Sequence, residues 1–350
     1  MVRIGIIGCG QISKFHYEGY AKAGAKIAHV CDLRPDVGRP VADRYGAKFS
    51  TDYRALIGDA DVDLVAVLTT AASHREICLA AMAAGKGVVC EKTLSDTPAV
   101  SAEIARAAEQ AGTFFATAYM KRFFPAAIQA RKLLDGMGQI ISVYARSFQP
   151  WNLWTAPLPQ GFLEKPSHLV RNYGGGAVVC CGSHVVDLIH WLAGRPTRIA
   201  GQLHHPPGAD FDIQANAMMW MEQGGVVHFE TCWHPLKTIG LEHNGWDEKV
   251  EITTVTGRLE FSTVVWNNPV NPALLVHHDD ASGKTVEYRY EAMNPFDAEM
   301  AEMVRRFEAG EKGLPSAWDG YVVDEILAAI VASARQNTLV EMKWRDRTPC

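Results

Sequence analysis

The sequence lacks the features that mark several classes of protein. Its 34 Lys and Arg residues are balanced by 39 Asp and Glu residues, the net charge is −5 and no basic stripe occurs, so nucleic acid is not an expected partner. No run of roughly 18 apolar residues occurs, which predicts no transmembrane helix and no membrane partner. The apolar start "MVRIGIIGCG" is broken by three glycines and predicts a strand instead of a signal peptide. We therefore expect a cytoplasmic location.

The eight cysteines are not spaced for a metal site or a disulfide framework. None forms a C-x-x-C pair, and most lie in apolar segments. The histidines, including the pair His204 and His205, show no metal-ligand spacing with carboxylates. We therefore expect reduced thiols and no metal. The cysteines are Cys9, Cys31, Cys78, Cys90, Cys180, Cys181, Cys232 and Cys350.

A chain of 350 residues is long enough for two domains of ordinary size. In its first third, short β-branched runs alternate with alanine-rich helical runs, a pattern typical of a parallel sheet covered by helices. The predicted strands are Val2–Ile7, Lys26–Cys31, Leu64–Leu68, Gly87–Cys90 and Phe114–Ala118. The predicted helices are Gln11–Ala23, Pro35–Tyr45, Ser73–Ala84 and Thr97–Ala111. This pattern predicts a doubly wound α/β Rossmann domain over residues 1–120 that binds NAD.

The remaining residues, 121–350, show a different pattern. A helix is predicted at Pro125–Leu134 and a strand at Ile140–Phe148, and Arg198–Tyr290 has the pattern of successive strands. One predicted hairpin turns at Gln223-Gly224-Gly225. Two final helices are predicted in "PFDAEMAEMVRRFEAGE" and "DGYVVDEILAAIVASARQNT". The pattern predicts an α+β domain with a mainly antiparallel sheet.

The stretch "GIIGCGQIS" predicts a dinucleotide site. It places Gly8 and Gly10 between a strand and a helix, where a glycine turn lets the backbone approach a pyrophosphate at the helix N-terminus. Ser13 replaces the third glycine of the usual pattern. Asp32 ends the next predicted strand 22 residues after Gly10, where a carboxylate accepts hydrogen bonds from ribose hydroxyls and repels a 2′-phosphate. This favours NAD over NADP, although Arg34 lies nearby.

A tight glycine turn in a domain that binds no nucleotide is the alternative. The candidate cofactor-binding residues are Gly8, Gly10, Gln11, Ile12, Asp32, Arg34, Thr70, His74, Glu91 and Lys92. Of these, His74 near a predicted helix start lines the cofactor crevice or has a purely structural role, and the sequence favours neither.

Candidate catalytic groups follow from two further stretches. In "VVCEKT", Glu91 and Lys92 lie at the carboxyl end of a predicted strand, the edge at which ligands bind in open α/β sheets. A lysine there stabilises an alkoxide that forms as hydride leaves, or is simply a solvated surface residue. In "GGGAVVCCGSHVVDLIHW", α-helical pitch places Cys180, His184 and Asp187 on one face. His184 is then a candidate base with Asp187 as its orienting partner, or an ordinary core or surface residue.

The irregular stretch "QPWNLWTAPLPQGFLEKPSH" is rich in Pro and Trp and too long for a simple connection. We interpret it as a substrate-covering loop. Aromatic and multi-donor side chains suit the faces and hydroxyls of a carbohydrate, or they belong to an ordinary surface loop. The candidates are Lys121, Arg122, Trp151, Trp154, His168, Arg171 and Asn172.

Four stretches together resemble the glucose–fructose oxidoreductase/inositol dehydrogenase/rhizopine catabolism family, Gfo/Idh/MocA. They are "GCGQISKFH", "SHREICLAAMAAGKGVVCEKT", "GGGAVVCCGSHVVDL" and "AAIVASARQN". The resemblance implies a Rossmann domain followed by a large open, mainly antiparallel sheet that binds substrate and forms homodimers or homotetramers. It also implies NAD(P)-dependent oxidation of one hydroxyl carbon of a sugar or polyol, usually without a metal.

The resemblance places the lysine of the family's Glu-Lys-Pro motif on Lys92 and the family's histidine on His184. Two residues depart from the pattern. Thr93 replaces the proline, so a cis peptide bond cannot be assumed there, since a non-proline cis bond costs about 3 kcal/mol. Cys180 replaces the aspartate four residues before the histidine, and a thiol is a poor substitute acceptor near neutrality.

We hypothesise that His184 is the general base, Lys92 stabilises the oxyanion, and Cys180 shapes the substrate site without transferring a proton. The predicted substrate is a small, pentose-like aldose oxidised at C1 to its lactone, because Trp151 and Trp154 narrow the site. The alternatives are an inositol or polyol dehydrogenase, an NAD-dependent glycosidase, or a regulator that binds NAD and sugar without catalysis.

Overall fold

The computed structural model describes residues 1–265 and 272–346. Within it the chain forms two compact units. The first contains Met1–Met120, Pro295–Asp324 and the described residues 345 and 346, and the second contains the described residues within Lys121–Asn294 and Glu325–Trp344. The first unit therefore includes two later segments besides residues 1–120. We expect the first unit to bind the cofactor and the second to bind the substrate, and this assignment stays a prediction.

The first unit is built on a six-stranded parallel sheet with the order β3-β2-β1-β4-β5-β6. The strands are β1 Arg3–Ile7, β2 Lys26–Cys31, β3 Lys48–Ser50, β4 Leu64–Val67, β5 Gly87–Glu91 and β6 Phe115–Ala118. The helices that alternate with them are α1 Ser13–Lys22, α2 Pro35–Tyr45, α3 Tyr53–Ile57, α4 Ala71–Ala83 and α5 Pro98–Ala111. Strands β4, β5 and β6 are buried throughout, as expected for a parallel sheet. The predicted Rossmann topology is confirmed.

Two short elements of this unit were not predicted, strand β3 and helix α3. Three and five residues are too few to show a hydrophobic period. The local signal for α3 is its N-cap, because the Asp52 carboxylate accepts a hydrogen bond from the backbone N–H of Arg54 at 2.9 Å.

Helix α9, Pro295–Glu308, belongs to the first unit because it packs against α1. The close approach depends on Gly19, where an added Cβ would lie 2.8 Å from Cγ of Met300. The next helix, α10, runs from Ala317 to Gln336.

The second unit is built on a nine-stranded sheet with the order β14-β13-β12-β11-β7-β10-β9-β8-β15. Its strands are β7 Ile140–Gln149, β8 Pro196–His204, β9 Gln214–Met221, β10 Val226–Trp233, β11 Asp247–Thr254, β12 Gly257–Thr263, β13 Leu274–Asp279, β14 Lys284–Arg289 and β15 Val340–Glu341. All neighbouring pairs are antiparallel except β7 and β10, which are parallel. Gly224 and Gly225, both at positive φ, form the predicted turn between β9 and β10. The mainly antiparallel sheet is confirmed.

The helical elements around this sheet are a 3₁₀ turn Met120–Phe123, α6 Pro125–Leu134, α7 His168–Tyr173, a π turn Val178–Gly182 and α8 Ser183–Ala193. The helical stretch His168–Ala193 is long and apolar enough to cross a membrane by length and composition alone. It is mostly buried inside the protein, and a helix of a protein core has the same composition.

Candidate active site

The glycine turn after β1 has the shape that a dinucleotide site requires. Gly8 has φ of +94°, and an added Cβ would lie 2.7 Å from the carbonyl oxygen of Leu68, so only glycine fits there. At Gly10 an added Cβ would meet no atom within 4 Å, so this part of the turn faces open space. Ser13, in the place of the third glycine, closes the turn by donating from Oγ to the Gly10 carbonyl at 2.6 Å. The turn thus leads directly into the N-terminus of α1, where a pyrophosphate is stabilised.

Asp32 connects this turn to the end of β2. Its buried carboxylate accepts hydrogen bonds from the backbone N–H groups of Cys9 and Arg34, both at 2.8 Å. Each carboxylate oxygen has two lone pairs, so acceptor capacity remains for ribose hydroxyls. Burial and the neighbouring Asp32 raise the pKa of the Cys9 thiol to about 12, which makes it unreactive. The residues of this turn therefore fit NAD.

His74 lies in α4 and is fully buried. Its Nε2 is 3.0 Å from the Thr69 carbonyl oxygen, and its Nδ1 is 3.1 Å and 3.2 Å from the carbonyl oxygens of Thr93 and Leu94. Burial lowers the pKa of His74, although the carbonyl oxygens around the ring favour its protonated form. Because all these contacts are to backbone, the geometry favours the structural alternative for His74. Thr70, the N-cap residue of α4, stays a predicted cofactor contact.

Glu91 and Lys92 lie where β5 ends. The buried Glu91 carboxylate contacts His16 Nε2 at 2.8 Å and accepts a hydrogen bond from the backbone N–H of Lys92 at 2.9 Å. Burial alone would raise the pKa of Glu91, but His16 and Lys92 together outweigh burial and the pKa lies below its ordinary value. The Lys92–Thr93 peptide bond is cis, which the sequence had left undecided. Lys92 is thus located at the carboxyl edge of the parallel sheet, as predicted.

In the second unit, the helical stretch that carries His184 begins against Asp212. The Asp212 carboxylate accepts a hydrogen bond from the backbone N–H of Val178 at 2.8 Å, and its carbonyl oxygen accepts one from Ala177 at 3.0 Å. A Cβ on Gly176 would lie only 2.0 Å from that carbonyl oxygen. Burial raises the pKa of Asp212 to about 7. Asp212 was not identified from the sequence, because a side chain that caps a helix from a distant loop leaves no local signal in the sequence.

The π turn changes the predicted relation between Cys180 and His184. The prediction assumed α-helical pitch through both residues, and this is wrong over Val178–Gly182. A π turn bonds i to i+5, and such turns often occur at functional sites. Cys180 is half-buried and packs against an apolar cluster. Cys181 is buried, and its Sγ donates to Gln149 Oε1 at 2.8 Å and accepts from Trp233 Nε1 at 3.0 Å.

Two buried ion pairs fix the segment that follows residue 120. The Arg122 guanidinium donates to the Asp187 carboxylate from Nε at 2.9 Å and from Nη2 at 2.6 Å. Lys121 pairs with Glu248, which also accepts a hydrogen bond from Thr263 Oγ1 at 2.8 Å. Asp187, predicted to orient His184, thus binds Arg122 in a bidentate pair. A substrate contact by Arg122 stays a prediction.

The predicted substrate loop carries two partly exposed tryptophans in the second unit. Trp151 stacks on Trp233 with ring centroids 5.2 Å apart, and Trp154 stacks on His204 with centroids 4.7 Å apart. The indole N–H of Trp154 also donates to the Trp233 carbonyl oxygen. About two fifths of each loop tryptophan is accessible, 38% for Trp151 and 41% for Trp154. The stacked pairs hold these rings in fixed orientations.

Of the three polar candidates in α7, His168 and Asn172 contact each other, and Arg171 contacts the segment just before the helix. Asn172 Nδ2 lies 2.7 Å from His168 Nδ1, and Arg171 donates to the Pro166 carbonyl oxygen at 2.5 Å. Their contact with a substrate stays a prediction. Among residues 1–265 and 272–346, no group of three or more His, Cys, Asp or Glu side chains is arranged to hold a metal ion, and metal-free chemistry also stays a prediction. The seven cysteines among the described residues are thiols outside any disulfide, and Cys350 lies beyond those residues.

Residues 2–119 match the model of an oxidoreductase family with an NAD-binding Rossmann fold, and residues 128–260 match the GFO/IDH/MocA C-terminal domain. The fold and site thus define an NAD-dependent oxidoreductase. More specifically, the chain belongs to the GFO/IDH/MocA family. The predicted family, fold, cofactor and enzyme class are thereby confirmed.

Inositol 2-dehydrogenase of Acidothermus cellulolyticus is 29% identical over 97% of this chain and 94% of the relative. Inositol 2-dehydrogenase 3 of Saccharopolyspora erythraea is 26% identical over 99% of this chain and 97% of the relative. Among solved structures, levoglucosan dehydrogenase in complex with NADH and levoglucosan has a TM-score of 0.83 at 22% identity, covering 97% of this chain and 99% of that one. That likeness shows the fold alone.

Proposed function

We propose that this protein oxidises one secondary hydroxyl of a sugar or polyol with NAD. The observation that carries the proposal is the placement of Lys92 at the carboxyl edge of the same sheet whose β1 leads into the glycine turn. The relatives named inositol 2-dehydrogenase support the substrate class.

Each reacting group has a defined role in this proposal. His184 takes the proton of the substrate hydroxyl as general base. The Lys92 ammonium donates a hydrogen bond to the same oxygen and stabilises the negative charge that develops on it. Bound NAD⁺ supplies the hydride acceptor, so the carbinol carbon becomes a carbonyl. Cys180 contributes shape, because its thiol packs with apolar neighbours.

A cyclic polyol or a pyranose is the substrate class we place first. The rings of Trp151 and Trp154 are fixed by stacking and partly accessible, and such rings suit the apolar C–H face of a six-membered ring. The names of the curated relatives point the same way. A pentose-like aldose oxidised at C1 stays the finer alternative.

The experiment mixes the purified protein with NAD⁺ and, in turn, myo-inositol, aldohexoses, aldopentoses and aryl glycosides, and follows NADH absorbance. Steady NADH formation with a polyol or an aldose supports the dehydrogenase and identifies the substrate. Glycoside cleavage without net NADH identifies the NAD-dependent glycosidase. NAD binding with no turnover on any compound identifies a non-catalytic regulator. The lack of activity would then be attributed to Cys180, which replaces the aspartate of the family pattern.

His184→Ala and Lys92→Met should each lower kcat by about 100-fold or more with a smaller change in KM. The exposed residues His205 and Lys284 provide matched controls as His205→Ala and Lys284→Met. Full turnover of His184→Ala at saturating substrate would show that His184 is not the base.

The assembly and location of the protein belong to the same proposal. A homodimer or homotetramer is expected, and light scattering after gel filtration measures it. A cytoplasmic location is also expected, and fractionation of the producing cell tests it.

A further inference from the structure

We propose that two buried histidines, His16 and His74, position Lys92 by holding the backbone on both sides of it. The inference deepens the proposed function and rests on it, since Lys92 is the group taken to contact the substrate oxygen. Both histidines are completely buried. In this proposal neither touches the substrate, so both are positioning residues.

His16 acts through Glu91, the residue before Lys92. The ring nitrogen Nε2 of His16 lies 2.8 Å from one carboxylate oxygen of Glu91. The other oxygen accepts the backbone N–H of Lys92 at 2.9 Å. One carboxylate therefore joins helix α1 to the peptide that carries Lys92. A carboxylate left buried without His16 would lose the partner that lowers its pKa.

His74 acts on the residues after Lys92. Its Nδ1 lies 3.1 Å from the Thr93 carbonyl oxygen and 3.2 Å from that of Leu94. Its Nε2 lies 3.0 Å from the Thr69 carbonyl oxygen in the segment after β4. Carbonyl oxygens only accept hydrogen bonds, so the protonated ring donates to both segments, whereas a neutral ring donates to one segment and only packs against the other. The histidine thus joins the ends of two neighbouring strands of the sheet.

The two histidines hold the backbone at a place where hydrogen bonds between strands no longer hold it. Strand β5 ends at Glu91 and helix α5 begins at Pro98, so Lys92 lies beyond the ladder of β5 with β4 and β6. A lysine side chain has several rotatable bonds, and a displacement of about 1 Å in a reacting group can cost about 100-fold in rate. Fixing the backbone on both sides of Lys92 limits that displacement.

The test uses paired variants that keep or remove single contacts. The Asn side-chain nitrogen occupies the position of histidine Nδ1, and the Gln nitrogen that of Nε2. His74→Asn therefore keeps a donor toward Thr93 and Leu94, whereas His74→Gln keeps one only toward Thr69. In the same way His16→Gln keeps the contact with Glu91 and His16→Leu removes it. The matched control is His29→Gln, since His29 is a buried histidine of the same unit that contacts Asp59 and Ser50.

The first measurement is amide hydrogen exchange, which does not require a substrate. We expect His74→Gln and His16→Leu to speed exchange of the peptide covering residues 91–94 by about 10-fold or more, with a smaller effect in His74→Asn and His16→Gln. Exchange in β1 and β6, strands of the same unit, reports whether each variant is folded. If exchange at residues 91–94 is unchanged in His74→Gln and His16→Leu, the proposal is overturned.

The second measurement is a double-mutant cycle with Lys92→Met, using the substrate found above. We expect His74→Gln to lower kcat by about 10-fold to 100-fold in the wild-type background and to have little effect beside Lys92→Met. The Kd for NADH should change by less than about threefold. Additive losses would show that His74 does not act through Lys92, and a large loss of NADH affinity would make His74 a cofactor contact. A wild-type protein without turnover refutes the proposed function, while the exchange measurement still decides the positioning.

Discussion

The pKa of Asp212 predicts a pH dependence of stability whose sign and size follow from its position. Its carboxylate is buried at the start of the helical stretch that carries His184, and its pKa is raised to about 7. In the unfolded chain an aspartate titrates near pH 3.9. Between these two pKa values the folded protein binds a proton on Asp212 that the unfolded chain releases. The stability that this proton contributes is lost as pH rises through 7.

The size of this change in stability follows from the thermodynamic linkage between proton binding and folding. With a pKa of about 7 in the folded protein, the contribution of Asp212 to the free energy of unfolding falls by about 2.5 kcal/mol between pH 5 and pH 8. Asp212→Asn replaces the acid by a neutral amide whose oxygen still accepts the Val178 N–H. The cap is then retained, while this part of the pH dependence is removed.

Urea unfolding followed by tryptophan fluorescence and circular dichroism measures the difference in stability between wild type and Asp212→Asn at several pH values. Coincidence of the two signals checks that unfolding is two-state. We expect the variant to gain about 2.5 kcal/mol relative to wild type between pH 5 and pH 8. Asp280→Asn, at an exposed position, is the control for removing a carboxylate. A difference that is constant with pH would refute the reasoning and show that Asp212 is ionised in the folded protein.

Three further substitutions test the site. Cys180→Asp places a carboxylate four residues before His184, so we expect the acid limb of the kcat–pH profile to move up by roughly one pH unit; an unmoved limb would mean that position 180 does not influence the base. Asp32→Ala removes the acceptor of the Cys9 N–H and the predicted acceptor of the ribose hydroxyls, and should raise the Kd for NADH, measured by fluorescence titration, by about 10-fold or more. Gly176→Ala places a Cβ 2.0 Å from the Asp212 carbonyl oxygen and should lower the free energy of unfolding by about 3 kcal/mol. Gly136→Ala is its control, since that Cβ would meet only an ordinary contact at 3.8 Å.

The elements predicted most accurately are those whose first and last residues are marked by helix-starting and helix-ending residue types in the sequence. Helix α2 was predicted with its observed bounds, Pro35–Tyr45, because Pro35 starts it and Gly46 at φ +61° ends it. The π turn could not be predicted, because residues 177–181 are apolar at every position and show no period that an extra residue would interrupt. The contact of His16 with Glu91 joins residues 75 positions apart, and no local pattern records it. The sequence thus provides candidate residues for the site, whereas the partners that orient them required the fold.

The loop that follows β7 has consequences for how such a protein changes during evolution. It is anchored at one end by the last residue of β7, Gln149. At the other end Ser167 caps α7 through the Val170 N–H at 3.2 Å, and its own N–H donates to Asp210 at 2.9 Å. Residues 150–166 are therefore a cassette between fixed attachment points. Insertions and deletions between these points leave the register of the sheet unchanged, provided that Leu153, Leu158 and Phe162 keep their packing against the cluster that contains Ala177 and Cys181. Under the proposed function, such changes would alter which sugar or polyol the protein accepts.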